Sequence, residues 1–181
     1  MQAQVANFEI LKYGKGKAIG HIQAEKSNQN SQTTYNVTSK ASFRVVLKYV
    51  RETILEVVYE GENLISSDAK QIMNQDLKQH RVTTRQGAKY NCIENRGKEE
   101  FSIDKDIRLC SSVLYFKEPK GYNFVFAENY QELCPIVLIE PGIYEMTLPN
   151  GKINHYVYKA GVLQEIRVFR SIVDLVFRRM T

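Results

Sequence analysis

The sequence predicts an all-β, mainly antiparallel fold: a meander forming an open or closed β-barrel, with one short helix near residues 106–116. Three observations carry that prediction. Apolar residues recur with period two over much of the chain, turn residues punctuate it at intervals of about eight to twelve residues, and one stretch breaks into a helical period. At 181 residues the chain suits one β-rich domain, 1–181, burying roughly 70% of the surface its unfolded form exposes.

Taken in order, Lys15-Gly16-Lys17, between Gly14 and Gly20, reads as a hairpin turn. It is not a phosphate loop, because no helix start follows to aim backbone donors at an anion. Phe43, Val45, Leu47 and Tyr49 alternate with Arg44 and Lys48, and Thr53, Leu55, Val57 and Tyr59 alternate with Glu56 and Glu60, predicting one long strand or a bent pair. Turns follow at Gly61, Gln86-Gly87, Arg96-Gly97, Pro141-Gly142 and Ala160-Gly161. Asp68 to Arg81 reads either as a short amphipathic helix carrying Ile72, Met73 and Leu77 or as a hairpin turning at Asn74-Gln75-Asp76, and the hairpin is preferred.

In Asp106 to Phe116, Ile107, Cys110 and Leu114 fall at i, i+3 and i+7, and Asp104 or Asp106 can cap the N-terminus. This predicts a helix that plugs an open end of the sheet and stops before Pro119, whose ring pushes Glu118 out of helical geometry. Tyr122 to Tyr130 then resumes as a strand whose alternation sends Tyr122, Phe124 and Phe126 to one face. Asn150-Gly151 is the strongest turn signal, because a two-residue type I′ turn needs positive φ at both central positions. It joins Tyr144, Met146 and Leu148 to Ile153, His155 and Val157, and Leu163–Phe169 and Ile172–Phe177 complete ten to twelve strands.

Composition excludes several function classes. Basic residues exceed acidic ones by 25 to 20, but they are scattered, with local clusters only at Arg178-Arg179 and at Arg44, Lys48 and Arg51. Nucleic-acid binders concentrate charge on one face, so no nucleic-acid partner is expected. Apolar runs such as Ile136–Ile139 are far shorter than the stretch of about 20 residues a membrane helix needs. The start, Met1-Gln2-Ala3-Gln4, has no basic or apolar leader pattern, so the expectation is either no signal peptide or a processed chain with a new Met. Cys92, Cys110 and Cys134 fit neither a disulfide framework nor a CxxC motif and read as small buried apolar residues. His21, His80 and His155 lack metal-ligand spacing, and no nucleophile elbow or Walker sequence is present. Glu118 and Glu128 could pair as catalytic carboxylates only at a controlled separation and read more readily as solvated rim residues. No catalytic residue, metal or cofactor is therefore expected.

Leu114-Tyr115-Phe116-x-Glu118-Pro119, then Val125-Phe126-Ala127-Glu128, then Leu148-Pro149-Asn150-Gly151-Lys152-x-Asn154-x-Tyr156-x-Tyr158 with its Ala160-Gly161 turn, resemble an uncharacterised family of small exported bacterial proteins, labelled only as a domain of unknown function. The resemblance implies a β-rich periplasmic or otherwise exported protein of the Gram-negative envelope and brings no activity with it. Three function classes follow. The first is an envelope binding or carrier module for an apolar or amphipathic ligand, with Tyr115, Phe116, Glu118, Tyr122, Phe124 and Phe126 as the ligand-binding residues at a lidded mouth. The second is a structural or protein-interaction domain with a filled core and a working surface such as the Tyr156 and Tyr158 face. An enzyme ranks third. The expected partners are a lipid or other apolar small molecule and an envelope protein.

Overall fold

The computed structural model describes residues 3–44, 48–95, 97–170 and 173–181. Met1, Gln2, Val45 and Leu47 of the expected patterns, Arg96 of the Arg96-Gly97 turn and Ile172 of the last expected strand lie outside the described residues, as do the side chains of Arg44 and Lys48. Fourteen strands form one sheet: β1 (Gln4–Lys12), β2 (Ala18–Gln29), β3 (Gln32–Arg44), β4 (Lys48–Glu60), β5 (Asn63–Met73), β6 (Asp76–Gln86), β7 (Lys89–Glu94), β8 (Glu99–Ile103), β9 (Phe124–Ala127), β10 (Glu132–Glu140), β11 (Ile143–Thr147), β12 (Ile153–Lys159), β13 (Val162–Val168) and β14 (Leu175–Arg179). Every pairing is antiparallel and joins chain neighbours, except that β1 also pairs with β14. The order thus runs from β8 back to β1, across to β14, and back to β9. Among the described residues no ladder joins β8 to β9, so the sheet stays open. No described helix is long and apolar enough to cross a membrane.

The alternation read from the sequence is the alternation of burial. Along β4, Leu55, Val57 and Tyr59 are buried while Ile54 and Glu56 face outward. One inward row per strand builds the core, and a one-residue slip would expose all of it. The stretch expected as one long strand or a bent pair is the β3–β4 hairpin, with Arg44 opposite Lys48. Asn74 and Gln75 both take positive φ, 50° and 72°, between β5 and β6, which is the preferred hairpin reading.

The Asn150-Gly151 turn differs from its expectation. Only Gly151 takes positive φ, +74°. Leu148 C=O accepts from Gly151 N–H at 2.9 Å, and Leu148 N–H donates to Lys152 O at 2.8 Å, so the loop is the three residues Pro149-Asn150-Gly151. Proline supplies the negative φ suited to the first corner of a type I turn, and glycine then takes the left-handed position. Tyr144 pairs with Tyr156 and Met146 with Asn154, so Tyr156 and Tyr158 form the buried row of β12.

The expected helix over 106–116 is also corrected. Only Ser111–Tyr115 is helical, as a 3-10 turn. Leu109 and Cys110 instead run beside β9: Phe126 N–H donates to Leu109 O at 2.8 Å, and Cys110 bridges Phe126 in parallel. Backbone groups engaged in that contact cannot also close helical turns. Ser111 and Ser112 are moreover residues whose side chains compete with helical hydrogen bonding. The chain leaves the sheet after β8 and re-enters it at β9, and the segment between is a plug against the concave face.

Candidate functional site

The plug is held by a buried carboxylate that sequence reasoning placed at a solvated rim. Glu128 is 1% exposed. Its Oε2 accepts from Ser111 N–H at 3.2 Å and from the Ser111 hydroxyl, and its Oε1 accepts from Ser112 N–H at 2.9 Å and the Ser112 hydroxyl at 2.5 Å. The open backbone donors at the start of a helical turn need acceptors. Here one side chain from beyond β9 supplies both. The same neighbourhood stitches the open seam: Gln71 donates to Asn129 at 3.2 Å, and Gln131 donates to Val82 O at 2.9 Å and to Thr83 Oγ1 at 3.0 Å.

Aromatic residues of the sheet close on the other faces of the plug. Tyr158 donates to Leu114 O at 2.7 Å, Tyr59 donates to Cys110 Sγ at 3.1 Å, and Phe8 meets Tyr115 edge-on with centroids 5.3 Å apart. Burial raises the Tyr59, Tyr115, Tyr156 and Tyr158 phenols above their ordinary pKa, which keeps them neutral donors. Cys92, Cys110 and Cys134 are free and buried, in keeping with their reading as small core residues.

On one side of the plug the interior is not filled. A cavity of about 230 Å³ lies there. Its apolar wall comes from β1, β2, β3, β4, β13 and β14, including Ile10, Ile22, Val37, Leu55, Ile166 and Phe177, and its plug side from Ser111 and Tyr115. Small inward residues leave the space: Ser39 and Ala41 on β3 and Thr53 on β4. Gly20 lets β3 come closer still, since a Cβ built there would lie 2.6 Å from Ala41 Cα. Polar residues gather toward one end, with Arg51 bonded to Gln71 at 2.7 Å, and Arg170 bonded to Asn154 at 3.2 Å and to Phe169 O at 2.6 Å. Burial and the nearby Arg51 charge both press the Arg170 pKa below the usual guanidinium value.

Of the six residues expected to bind ligand, this cavity takes in Tyr115 alone. Phe116 packs on Tyr35 at 5.9 Å between centroids. Glu118, expected at the rim, has a side chain only 9% exposed that accepts from Tyr144 at 3.0 Å and pairs with Lys120 at 3.0 Å. Tyr122 precedes β9, with Lys117 over its ring at 4.8 Å. Phe124 is 55% exposed while Phe126 is fully buried, so the expected common face is not a common environment. The contact with Leu109 covers β9 at Phe126 and not at Phe124. Glu118 and Glu128 bind different partners, and among the described residues no group of three His, Cys, Asp or Glu side chains could hold a metal.

Sequence reasoning missed Arg51, Arg170, Asn129 and Asn154. Arg51 was the legible one: it stands on the same parity as Thr53, Leu55, Val57 and Tyr59, an arginine in the inward row of an alternating strand. Arg170 follows β13 by two residues and carried no comparable signal.

The curled sheet, the plug and the partly open interior define a β-barrel-like domain. Residues 8–180 match the family described as a domain of unknown function, DUF6134, and the chain belongs to that family. No curated protein matches it by sequence. Among solved structures, the chain is similar in fold to a β-barrel-like protein of the domain of unknown function DUF1849 from Brucella abortus, with a TM-score of 0.62 at 10% identity, over 98% of this chain and 95% of that one.

Proposed function

We propose that the protein is an envelope binding or carrier module that takes an apolar or amphipathic ligand into the cavity beside the plug. The observation that carries this reading is a space of about 230 Å³ that joins an apolar wall to a polar end of similar extent, inside a domain whose core is otherwise built of buried aliphatic and aromatic side chains. Ligand sites combine an apolar lining with a few fixed polar groups in this way. The envelope location belongs to the proposal on the strength of the sequence resemblance. In this reading Tyr115 forms part of the plug wall of the site, while Phe116, Glu118, Tyr122 and Phe126 hold the plug that bounds it. The alternative of an interaction surface at Tyr156 and Tyr158 loses its premise, since both are buried, at 5% and 6% exposure.

The test is binding of the neutral fluorescent probe N-phenyl-1-naphthylamine to delipidated protein, compared with the cavity-filling variant Ser39→Leu/Thr53→Leu. Binding by the native chain and its loss in the variant, with unfolding no less favourable, supports the reading. No probe binding, or binding unaffected by the filled cavity, refutes it.

A further inference from the structure

The polar end of the cavity is one-signed. Arg51 and Arg170 line it together with Asn129, Asn154, Ser111 and Tyr156, and no Asp or Glu is among the lining residues. Neither guanidinium forms an ion pair with a carboxylate among the described residues. Asp174, four residues beyond Arg170 and outside the cavity lining, accepts from the Arg170 backbone N–H at 2.7 Å and partly offsets the Arg170 charge without pairing with it. The side-chain partners that fix the two arginines are neutral: Gln71 for Arg51, and Asn154 with the Phe169 carbonyl for Arg170. Gln71 is fixed in turn by Asn129 at 3.2 Å. Such partners orient a guanidinium without neutralising it, and each guanidinium carries five N–H donors, more than these bonds consume. A half-buried guanidinium with no ion-pair partner, as at Arg170, is unfavourable, and the like charge of the more exposed Arg51 adds to the cost. A negative group between the two would relieve both.

The apolar wall sets the rest of the ligand. At about 230 Å³ the cavity lies at the small end of ligand pockets, which start at about 300 Å³, so it suits a single alkyl chain and not a two-chain lipid. Arginine binds planar oxyanions through paired N–H donors, which favours a carboxylate head.

Resting on the binding reading above, we propose that the site takes single-chain anionic amphiphiles of the medium-chain carboxylate class, with the head between Arg51 and Arg170 and the chain along the wall formed by Ile10, Ile22, Val37 and Leu55. The test displaces the neutral naphthylamine probe with decanoate and, separately, with decanol, from native protein and from Arg51→Gln, near neutral pH at low and high salt. Decanol is the more apolar of the two, so a purely apolar cavity would favour it. The expected result is displacement by decanoate at a concentration at least about tenfold lower than decanol, the scale of one charge-assisted hydrogen bond. That preference shrinks with salt and falls severalfold in Arg51→Gln, where Arg170 is the remaining cation. The salt response of the native protein keeps the test decisive should Arg51→Gln fold poorly. Equal displacement by the two, or a preference indifferent to salt, overturns the anionic assignment and leaves the binding reading standing. Failure of the probe and both competitors to bind overturns both.

Discussion

Replacing Glu128 by Gln should loosen the plug while keeping the side chain's size and shape. In the native chain its two oxygens accept four hydrogen bonds, two from backbone N–H groups and two from serine hydroxyls. The amide of Gln keeps one acceptor and turns the other position into a donor. A serine hydroxyl can rotate to accept from that NH2 group, but the backbone N–H beside it cannot. One buried N–H is thus left unpaired, at about 1–3 kcal/mol, and the three remaining bonds drop from charged to neutral strength. With partial compensation by the rotated hydroxyl, the net loss should be about 3–4 kcal/mol. For a chain of this size each kcal/mol moves the melting temperature by about 2–4 °C, so a fall of roughly 6–16 °C is expected in thermal unfolding followed by circular dichroism. A fall of less than about 1 kcal/mol in urea titrations would refute the view that Glu128 caps the turn.

Three other perturbations probe separate parts of the fold. Gly151→Val should cost about 1–3 kcal/mol, all of it backbone strain at φ +74°, because nothing lies within 4 Å of the added Cβ; an unchanged melting temperature would count against the three-residue loop. Gly20→Ala should cost about 1–3 kcal/mol through overpacking, and Ala41→Gly should not rescue it, since the clash is with the Ala41 Cα and the Lys40 carbonyl; full rescue would show that side-chain contact alone limits the site. Burial pushes the Cys92 and Cys110 thiols up and holds the Cys134 thiol at about 12. All three are raised above the unfolded value of about 8.5, so their stability contribution is complete below that pH and is lost as pH rises above it; for Cys134 the loss continues toward 12, at about 1.4 kcal/mol per unit. Urea midpoints should therefore fall from pH 8 to 10, with a shallower fall in Cys134→Ala; a flat profile would refute the burial argument.

What was legible in the sequence divides along the range of the interactions involved. Period-two alternation reports a local fact, that one face of each strand is buried, and the β4 row and the Asn74-Gln75 hairpin followed from it. The plug was half legible. Ile107, Cys110 and Leu114 are buried as their spacing demands, yet the backbone around Leu109 and Cys110 takes an extended course set by Phe126, and the turn after it is held by Glu128. Both partners lie more than ten residues away, and spacing within the segment carries no trace of them. The cavity is harder still, because it is an absence distributed over Gly20, Ser39, Ala41 and Thr53 on three strands. Each of those residues is unremarkable alone, and only the registers Gly20 to Ala41 and Ser39 to Thr53 bring them together.

The open seam and the cavity have one origin. A ladder between β8 and β9 would have closed the sheet with backbone bonds and left an interior whose filling depended on side chains alone. Instead the chain itself enters the interior, and side chains such as Gln131 and Asn129 tie its return to β5 and β6. The plug packs against Tyr35, Tyr59 and Tyr158, leaving a small space of about 80 Å³ beside Tyr35 and Tyr59, and reaches no further than Ser111 and Tyr115 on the side of the larger cavity. The space beyond is what the plug leaves over, so the residues that hold the plug also set the size of the site. Ser111 makes this concrete: it lines the cavity and bonds Glu128 at once. A change at Glu128 reaches the cavity through this one residue, whereas Arg51 lines the cavity directly and bonds Gln71 at the seam.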